Sequence, residues 1–468
     1  MNYKDKKVLV FGLGLLGGGV ATANWFIEQG ALVTITDSKD ASYLAPSLRR
    51  LRGNYNLSLG HYEEDDIRNS DIVVFNPAVP IDSQPVRAAY RLHKQVENEA
   101  TIFYALCNKP ITAVTGTRGK TTTVNWLRHL LGRQAIIAGN SYKNPLLKTL
   151  PKINKRKRAV VVNEIPSYHL EYFSKTTRPP RVAVITNLYE DHLNRHHTME
   201  GYADAKAGIF MSQSSSDDLI LNADNEWTPY FLSKNPKSRV WYFSLQKLAV
   251  SQNGLYWRQG KVMLQENGRG TLITKLPTFQ KKWGSHNVAN LLAAMLAAWR
   301  TGEGWQNICS RIQTLPDVEF RQQIIYSSPS LRVINDTTAI SPEGSSAAIR
   351  RFGGKGCVLI AGGTDCEFHY GEWVKDVVKK IRPANLFLLS GSATRSIKKL
   401  LPPKYADTPV FDSYRECFTA ALRRARNMKP ATLLLSPGAK SFGIFKNEYD
   451  RGRKFNAFIK NYLRQKNN

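Results

Sequence analysis

Cysteine is scarce in this chain. Five cysteines, Cys107, Cys309, Cys357, Cys366 and Cys417, are spread over 468 residues. Their number is odd, their spacing irregular, and no C-x-x-C pair occurs. That argues against a zinc ribbon and against a disulfide framework, and each is expected as a reduced thiol in or beside a core. Long apolar runs are also missing: no stretch approaches the roughly 20 residues that a bilayer span requires. The N-terminus, Met1-Asn2-Tyr3-Lys4-Asp5-Lys6-Lys7, leads straight into a strand pattern with no signal peptide. No membrane insertion is expected, and the location expected is cytoplasmic. Short-period repeats and low-complexity tracts are absent as well. Acidic charge is in deficit, with 37 Asp and Glu against 66 Lys and Arg, a formal net charge of +29. The one dense basic run is Lys152, Lys155, Arg156, Lys157 and Arg158, and no nucleic-acid-binding motif accompanies it. The excess reads as scattered surface charge that serves solubility and draws in anionic small molecules; nucleic acid is not expected as a main partner.

What the chain does have is a phosphate loop. Ile111-Thr112-Ala113-Val114 is an apolar, β-branched run that ends in Thr115-Gly116-Thr117-Arg118-Gly119-Lys120-Thr121-Thr122-Thr123. A helical pattern follows at once, with Val124, Trp126, Leu127, Leu130 and Leu131 at helical spacing. Strand, tight turn and helix place backbone N–H groups and a helix N-terminus against an anion. Gly116 and Gly119 allow the close approach, Lys120 can reach terminal phosphates, and the Thr121 hydroxyl is placed to ligate Mg²⁺. Two residues separate the glycines, not the four of the commonest phosphate loop. ATP is the expected ligand.

Taken in order, the chain reads as three α/β domains, each a doubly wound sheet with flanking helices: residues 1–98, 99–316 and 317–468. In the first, Val8-Leu9-Val10-Phe11, then Gly12-Leu13-Gly14-Leu15-Leu16-Gly17, a helix to Gly30 and a strand ending at Asp37 form a βαβ unit with a G-x-G-x-x-G fingerprint. Taken alone this implies a dinucleotide, and so an oxidoreductase, although related loops hold other diphosphates. In the second, strands predicted at Ala135–Gly139, Ala159–Glu164 and Val182–Asn187 end in polar groups: Asn140, Glu164, and Glu190-Asp191-His192. Polar residues there point into the ligand crevice of an open α/β sheet. Lys206 falls on a helix predicted over Tyr202–Phe210. His286 and Asn287 open an apolar helix, where the amide could reach a nucleotide base or cap the helix. In the third, Val333–Asp336, Val358–Gly363, Leu386–Gly391 and Leu433–Gly438 alternate with helical stretches.

Together these pieces resemble a known family. The phosphate loop, Glu164, Thr186-Asn187 with Glu190-Asp191-His192, Lys206, Gly284 with His286-Asn287 and Ala289-Asn290, Arg321 and Asn335-Asp336 occur in the order of the Mur ligases of peptidoglycan precursor synthesis. The likeness runs along nearly the whole chain. The Gly12-Leu13-Gly14 loop and Ser436-Pro437-Gly438-Ala439-Lys440-Ser441-Phe442 with Phe445-Lys446 are most similar to the branch that adds D-glutamate to UDP-N-acetylmuramoyl-L-alanine. The resemblance implies ATP-dependent amide-bond formation through an acyl phosphate, by a monomer. It implies catalytic roles for Lys120, His192 and Lys206, and an ATP site of Thr115, Gly116, Thr117, Arg118, Gly119, Lys120, Thr121, Thr122, Asn287, Arg321 and Asp336. Gly14, Leu15, Leu16, Asp37, Ser38, Asn140 and His192 would line the UDP-sugar site, so the first domain would hold a UDP-sugar and not NAD. One Mg²⁺ would sit on Thr121 and Glu164, a second on His192 and a carbamylated Lys206. Thr338, Ile340, Cys366, Ser441 and Phe445 would face the incoming amino acid. The chain departs from the family's pattern at Thr338 and Cys366, where lysines are usual, at Ile340, where threonine is usual, and in Glu164-Ile165-Pro166-Ser167. A changed amino-acid specificity, such as L-glutamate or another amino acid on the same precursor, is expected to show at Thr338, Ile340 and Cys366.

Overall fold

The computed structural model describes residues 2–15, 17–139, 145–364 and 368–464. Leu16, Asn140 and Cys366, named above as candidate site residues, lie outside them. The chain divides into two compact units, Met1–Leu315 and Pro316–Asn468.

The first unit contains two sheets. Five parallel strands, β1 (Lys7–Phe11), β2 (Leu32–Asp37), β3 (Asn56–Leu59), β4 (Ile72–Phe75) and β5 (Gln95–Glu97), lie in the order β3-β2-β1-β4-β5. The crossover order puts the glycine loop after β1 at the switch point, between β2 and β4, where such sheets open a crevice. The helix Gly18–Glu28 packs so close to that loop that a Cβ on Gly19 would stand 2.5 Å from the carbonyl oxygens of Gly12 and Leu13. The second sheet has nine strands: β6 (Ile111–Thr115), β7 (Ala135–Gly139), β8 (Val160–Glu164), β9 (Val182–Ile185), β10 (Asp218–Asn222), β11 (Arg239–Ser244), β12 (Gly254–Arg258), β13 (Lys261–Glu266) and β14 (Arg269–Lys275). Their order is β14-β13-β12-β11-β10-β9-β6-β8-β7, parallel from β7 to β12 and antiparallel through β12, β13 and β14. β6 is central and buried at every residue, as its β-branched run requires. One apolar core serves both sheets: Val8, Val10 and Ile35 of the first, and Ile111, Ala113 and Val161 of the second, meet around Phe103 and Tyr104 of the helix Glu99–Leu106.

The second unit holds β15 (Gln323–Ser327), β16 (Leu331–Asn335), β17 (Cys357–Gly362), β18 (Leu386–Leu389), β19 (Val410–Phe411) and β20 (Ala431–Leu435), in the order β15-β16-β20-β17-β18-β19. All pair in parallel except β15 with β16. Successive strand residues face opposite sides. Leu359 and Ala361 therefore join Trp373, Val377 and Ile397 in one core, while Val358 and Ile360 join Phe418 and Phe455 in the other.

Two expectations are corrected here. The helix that carries Lys206 runs Met199–Ala207, not Tyr202–Phe210. Thr198 starts it by accepting the Gly201 N–H at 3.0 Å, a cap that outweighed the apolar spacing further along. The second sheet also extends beyond the strands read from the sequence, through β10, β11 and the β12–β14 meander. The turn Asn267-Gly268, with φ of 50° and 77°, joins β13 to β14 and is the hairpin signal that marks this extension.

Candidate active site

The C-terminal end of β6 carries the first half of the site. Gly116 at φ 139° and Gly119 at φ 83° put the loop in backbone conformations that favour glycine. A Cβ on Gly116 would overlap Thr186 Oγ1, and one on Gly119 would overlap the Asn290 side chain. Neighbouring strand ends hold the loop. Thr186 Oγ1 donates to the Arg118 carbonyl at 2.6 Å, Asn187 Oδ1 accepts the Arg118 N–H at 2.8 Å, and the Thr117 hydroxyl accepts the Tyr189 N–H at 3.0 Å. Lys120 opens the helix Lys120–Leu131 and folds back, its Nζ donating to the carbonyls of Gly116 at 2.8 Å and Thr117 at 3.0 Å. Thr115 and Thr122 are buried, and Thr121 stands on the first turn of that helix.

The second half comes from the segments after β8 and β9. Glu164, 7% exposed, ends β8 and is hydrogen-bonded in register beside β6 and β7. His192 sits at φ 57° at the start of the helix Leu193–His196, and its Nδ1 lies 2.6 Å from the Tyr168 hydroxyl. Asp191 pairs with Arg118 at 3.2 Å. Lys206 is 1% exposed, with its Nζ 4.3 Å from the centroid of the Tyr202 ring. Burial, reinforced by the Lys120 and Arg118 cations and opposed by Asp191, pulls its ammonium well below the ordinary lysine range. Burial thus disfavours the charged form of Lys206 in the field of the phosphate-loop cations. Among the described residues no group of three or more His, Cys, Asp and Glu side chains could hold a metal by itself.

A buried network behind His192 escaped the sequence reading. Ser167 Oγ lies 3.0 Å from His196 Nε2, His196 Nδ1 lies 3.1 Å from Glu171, and Arg195 pairs with Glu171 at 2.6 Å. The Arg195 guanidinium also donates to the carbonyls of Ala78 at 3.1 Å and Val79 at 2.8 Å, in the loop after β4. It ties the helix next to His192 to the edge of the first sheet. The only prior signal was the polar run Asn194-Arg195-His196-His197.

The remaining candidates divide between the two units. In the first, Asp37 is buried at the end of β2 and accepts the Gly14 N–H at 3.0 Å, which braces the glycine loop; Leu15 and Ser38 are exposed beside it. Asn287 is buried, donates to the Trp283 carbonyl at 2.9 Å and accepts from Asn290 at 3.0 Å. Asn290, the residue packed on Gly119, was quoted only as part of a motif. In the second unit Asp336 directly follows β16 and is 4% exposed. It accepts from Ser436 Oγ at 2.7 Å and from the Gln322 N–H at 2.9 Å, and burial lifts its carboxyl to about 7. Arg321 lies in the segment leading to β15. Thr338 donates its hydroxyl to the Phe320 carbonyl at 2.7 Å, Ile340 is half-buried, Ser441 is buried, and Phe445 packs in the core against Tyr414.

Comparison with known proteins gives this arrangement a family. The Mur ligase MurD-like N-terminal domain matches residues 6–97, and the Mur ligase middle domain matches residues 114–298. The UDP-N-acetylmuramoylalanine--D-glutamate ligase of Roseiflexus sp. is 34% identical over 99% of this chain and 100% of its own length. The chain belongs to the Mur ligase family. The enzyme of the same name from Caldanaerobacter subterraneus is 32% identical over 98% of this chain and 99% of its own. Among solved structures, a Mur ligase of Thermotoga maritima, UDP-N-acetylmuramate-alanine ligase, aligns with a TM-score of 0.58 at 19% identity, covering 98% of this chain and 100% of its own. The UDP-N-acetylmuramoylalanyl-D-glutamyl-2,6-diaminopimelate--D-alanyl-D-alanyl ligase of Acinetobacter baumannii aligns with a TM-score of 0.59 at 15% identity, covering 91% and 89%. These two structural likenesses show the shared Mur ligase fold. Among the described residues no helix is long and apolar enough to cross a membrane.

Proposed function

We propose that this Mur ligase joins D-glutamate to UDP-N-acetylmuramoyl-L-alanine at the expense of ATP, in peptidoglycan precursor synthesis, as a monomer in the cytoplasm. The reading rests on one juxtaposition: a phosphate loop with Lys120 folded over it, and a buried Lys206 within the field of Lys120, Arg118 and Asp191. The substrate names come from the relatives that match along the full length.

The γ-phosphoryl group of ATP passes to the terminal carboxylate of the alanyl residue, leaving ADP. The amine of glutamate then attacks the acyl-phosphate carbon, phosphate leaves with the former carboxylate oxygen, and the nitrogen gives up a proton. There is little covalent work for the protein in the first step, so positioning and charge carry it. The loop N–H groups from Gly116 to Thr122 cradle the phosphates, and Lys120 leaves its carbonyl partners to follow the charge as it moves. Thr121 and Glu164 would hold one Mg²⁺, and His192 with Lys206 a second. The bound ions would neutralise phosphate charge. An amine in its uncharged form adds CO₂ to give a carbamate and a proton, and at Lys206 this would replace a metal-repelling cation with a carboxylate-like ligand. The Tyr168 hydroxyl, 2.6 Å from Nδ1, fixes the orientation of the His192 ring. Asn287, Arg321 and Asp336 complete the ATP site. Gly14, Leu15, Asp37, Ser38 and His192 would serve the UDP-sugar site, and Thr338, Ile340, Ser441 and Phe445 the amino-acid site. Residues 1–98, 99–316 and 317–468 act as the three substrate domains.

Phosphate release tests this. With ATP, Mg²⁺ and UDP-N-acetylmuramoyl-L-alanine, turnover is expected on adding D-glutamate and not on adding L-glutamate. Turnover with L-glutamate or another amino acid in its place overturns the D-glutamate assignment, and release with none of them overturns the acceptor.

A further inference from the structure

We infer that Lys440 is the cation that receives the side-chain carboxylate of the incoming amino acid. The inference rests on the reading that an acidic amino acid is the second substrate.

Ligands of open α/β sheets gather at the carboxyl ends of the strands. In the second unit β16, β20 and β17 lie side by side, and the loops that leave them are sewn together. Lys440, in the loop after β20, forms an antiparallel bridge with Thr364, in the loop after β17, with both N–H···O distances 3.0 Å. Thr364 Oγ1 donates to the Phe442 carbonyl at 2.6 Å. On the other side the Gly438 N–H donates to the Ala339 carbonyl at 2.9 Å, in the loop after β16. Beneath this seam lies Arg451, 0% exposed. Its guanidinium donates to Thr337 Oγ1 at 3.0 Å, to the Thr337 carbonyl at 2.8 Å and to the Ala439 carbonyl at 3.2 and 3.3 Å. It clasps the residue before Thr338 to the residue before Lys440, so the backbone carrying Lys440 is held on three sides.

Among the described residues the side chains on this seam are otherwise poor in charge. Thr338 spends its hydroxyl on the Phe320 carbonyl, Ile340 is apolar, and Thr364 is engaged with Phe442. Lys440 is half-buried, and its ammonium has no hydrogen-bond or ion-pair partner among the described residues. A lysine on a rigid backbone at the ligand edge of a sheet, with its charge unspent, is suited to a carboxylate. The chemistry indicates which one. Of the two carboxylates of glutamate, the one on the side chain distinguishes it from neutral amino acids, so a cation that selects an acidic amino acid meets that group.

Steady-state kinetics of the full chain test this, with D-glutamate varied at saturating ATP and UDP-N-acetylmuramoyl-L-alanine, and D-glutamine as the neutral analogue. Loss of a charge-assisted contact corresponds to a roughly 10- to 100-fold effect. Lys440→Ala is expected to raise the KM for D-glutamate by that factor, to leave kcat and the KM for ATP within about threefold, and to reduce the preference for D-glutamate over D-glutamine. Lys440→Arg is expected to keep most of both. An unchanged KM for D-glutamate in Lys440→Ala overturns the inference, as does an equal loss for the two amino acids. Wild-type protein that fails to use D-glutamate at all counts against the reading in the preceding subsection. The Lys440 assignment is judged only by the ratio of variant to wild type on whichever acidic amino acid turns over.

Discussion

Lys206 is held where an ammonium is poorly tolerated. It is 1% exposed, places its Nζ over the Tyr202 ring, and lies within the field of Lys120 and Arg118. Removing a charge from water and placing it near like charges costs several kcal/mol unless it is paired, so the side chain is retained against the stability of the fold. Lys206→Met keeps the volume and removes the polar head. It is expected to unfold at an equal or higher temperature than wild type while losing at least about 100-fold in turnover, a size typical of removing a stabiliser of developing charge. Thermal melting and phosphate release on one preparation check both. Lys206→Ala, which leaves space, is expected to recover part of its activity when a short carboxylic acid is supplied. Lys120→Ala differs in kind. Lys120 is half-exposed and bonded to two loop carbonyls, so its loss should leave the melting temperature within a few degrees while phosphate release falls by about 100- to 1,000-fold. Of these two lysines only Lys120 was legible as functional from its own neighbours. Its glycine-punctuated turn carries a mechanism, whereas Lys206 at the end of a short helix looks like any solvated lysine until tertiary packing closes over it.

The elements that form the site are strand ends, and their legibility followed burial. β6, β8 and β17 are central strands covered on both faces, so they appear as unbroken apolar runs that stop at a polar turn. β14 is an edge strand with five of its seven residues exposed. It carries no such run, and only the Asn267-Gly268 turn announces it. Asp336 shows what a strand end can add beyond position. It joins the end of β16 to Ser436, after β20, and to Gln322, before β15. Burial lifts its carboxyl from 3.8 to about 7 against those hydrogen bonds. The folded chain therefore binds a proton that the unfolded chain gives up between about pH 4 and pH 7. The contribution of Asp336 to stability is full below its unfolded value, falls as pH rises through this window, and is lost above about pH 7. The shift corresponds to about 4 kcal/mol between the ends of the window. Asp336→Asn should flatten this component, so the difference in unfolding free energy between wild type and variant is expected to change in favour of the variant from pH 4 to pH 7. A difference that is constant across that range would show that Asp336 is ionised in the folded chain.

At the scale of the whole molecule the excess of basic residues has to be set against what the chain binds. Of the 66 lysines and arginines, few are used by the site. The run Lys152, Lys155, Arg156, Lys157 and Arg158 is exposed throughout, on and just after the helix Leu146–Lys155. Among the described residues it pairs with no carboxylate, so it behaves as a solvated face. Both ATP and a UDP-sugar are multiply anionic, and a surface at +29 raises their local concentration through a field that salt screens over about 10 Å at 0.1 M. In the proposed mechanism the chemical step draws on charges such as Lys120 and Arg118, which are partly buried and screened far less. Salt should therefore act on capture and spare turnover. Raising NaCl from about 50 to about 500 mM is expected to increase the KM for ATP several-fold and to leave kcat within about twofold. Reversing the exposed run, with Lys152, Lys155 and Lys157 changed to Glu, should reduce the salt sensitivity of KM without altering kcat at saturation. If KM is indifferent to salt in the wild type, the surface charge serves solubility alone, and the site binds its anions by the loop and its own cations.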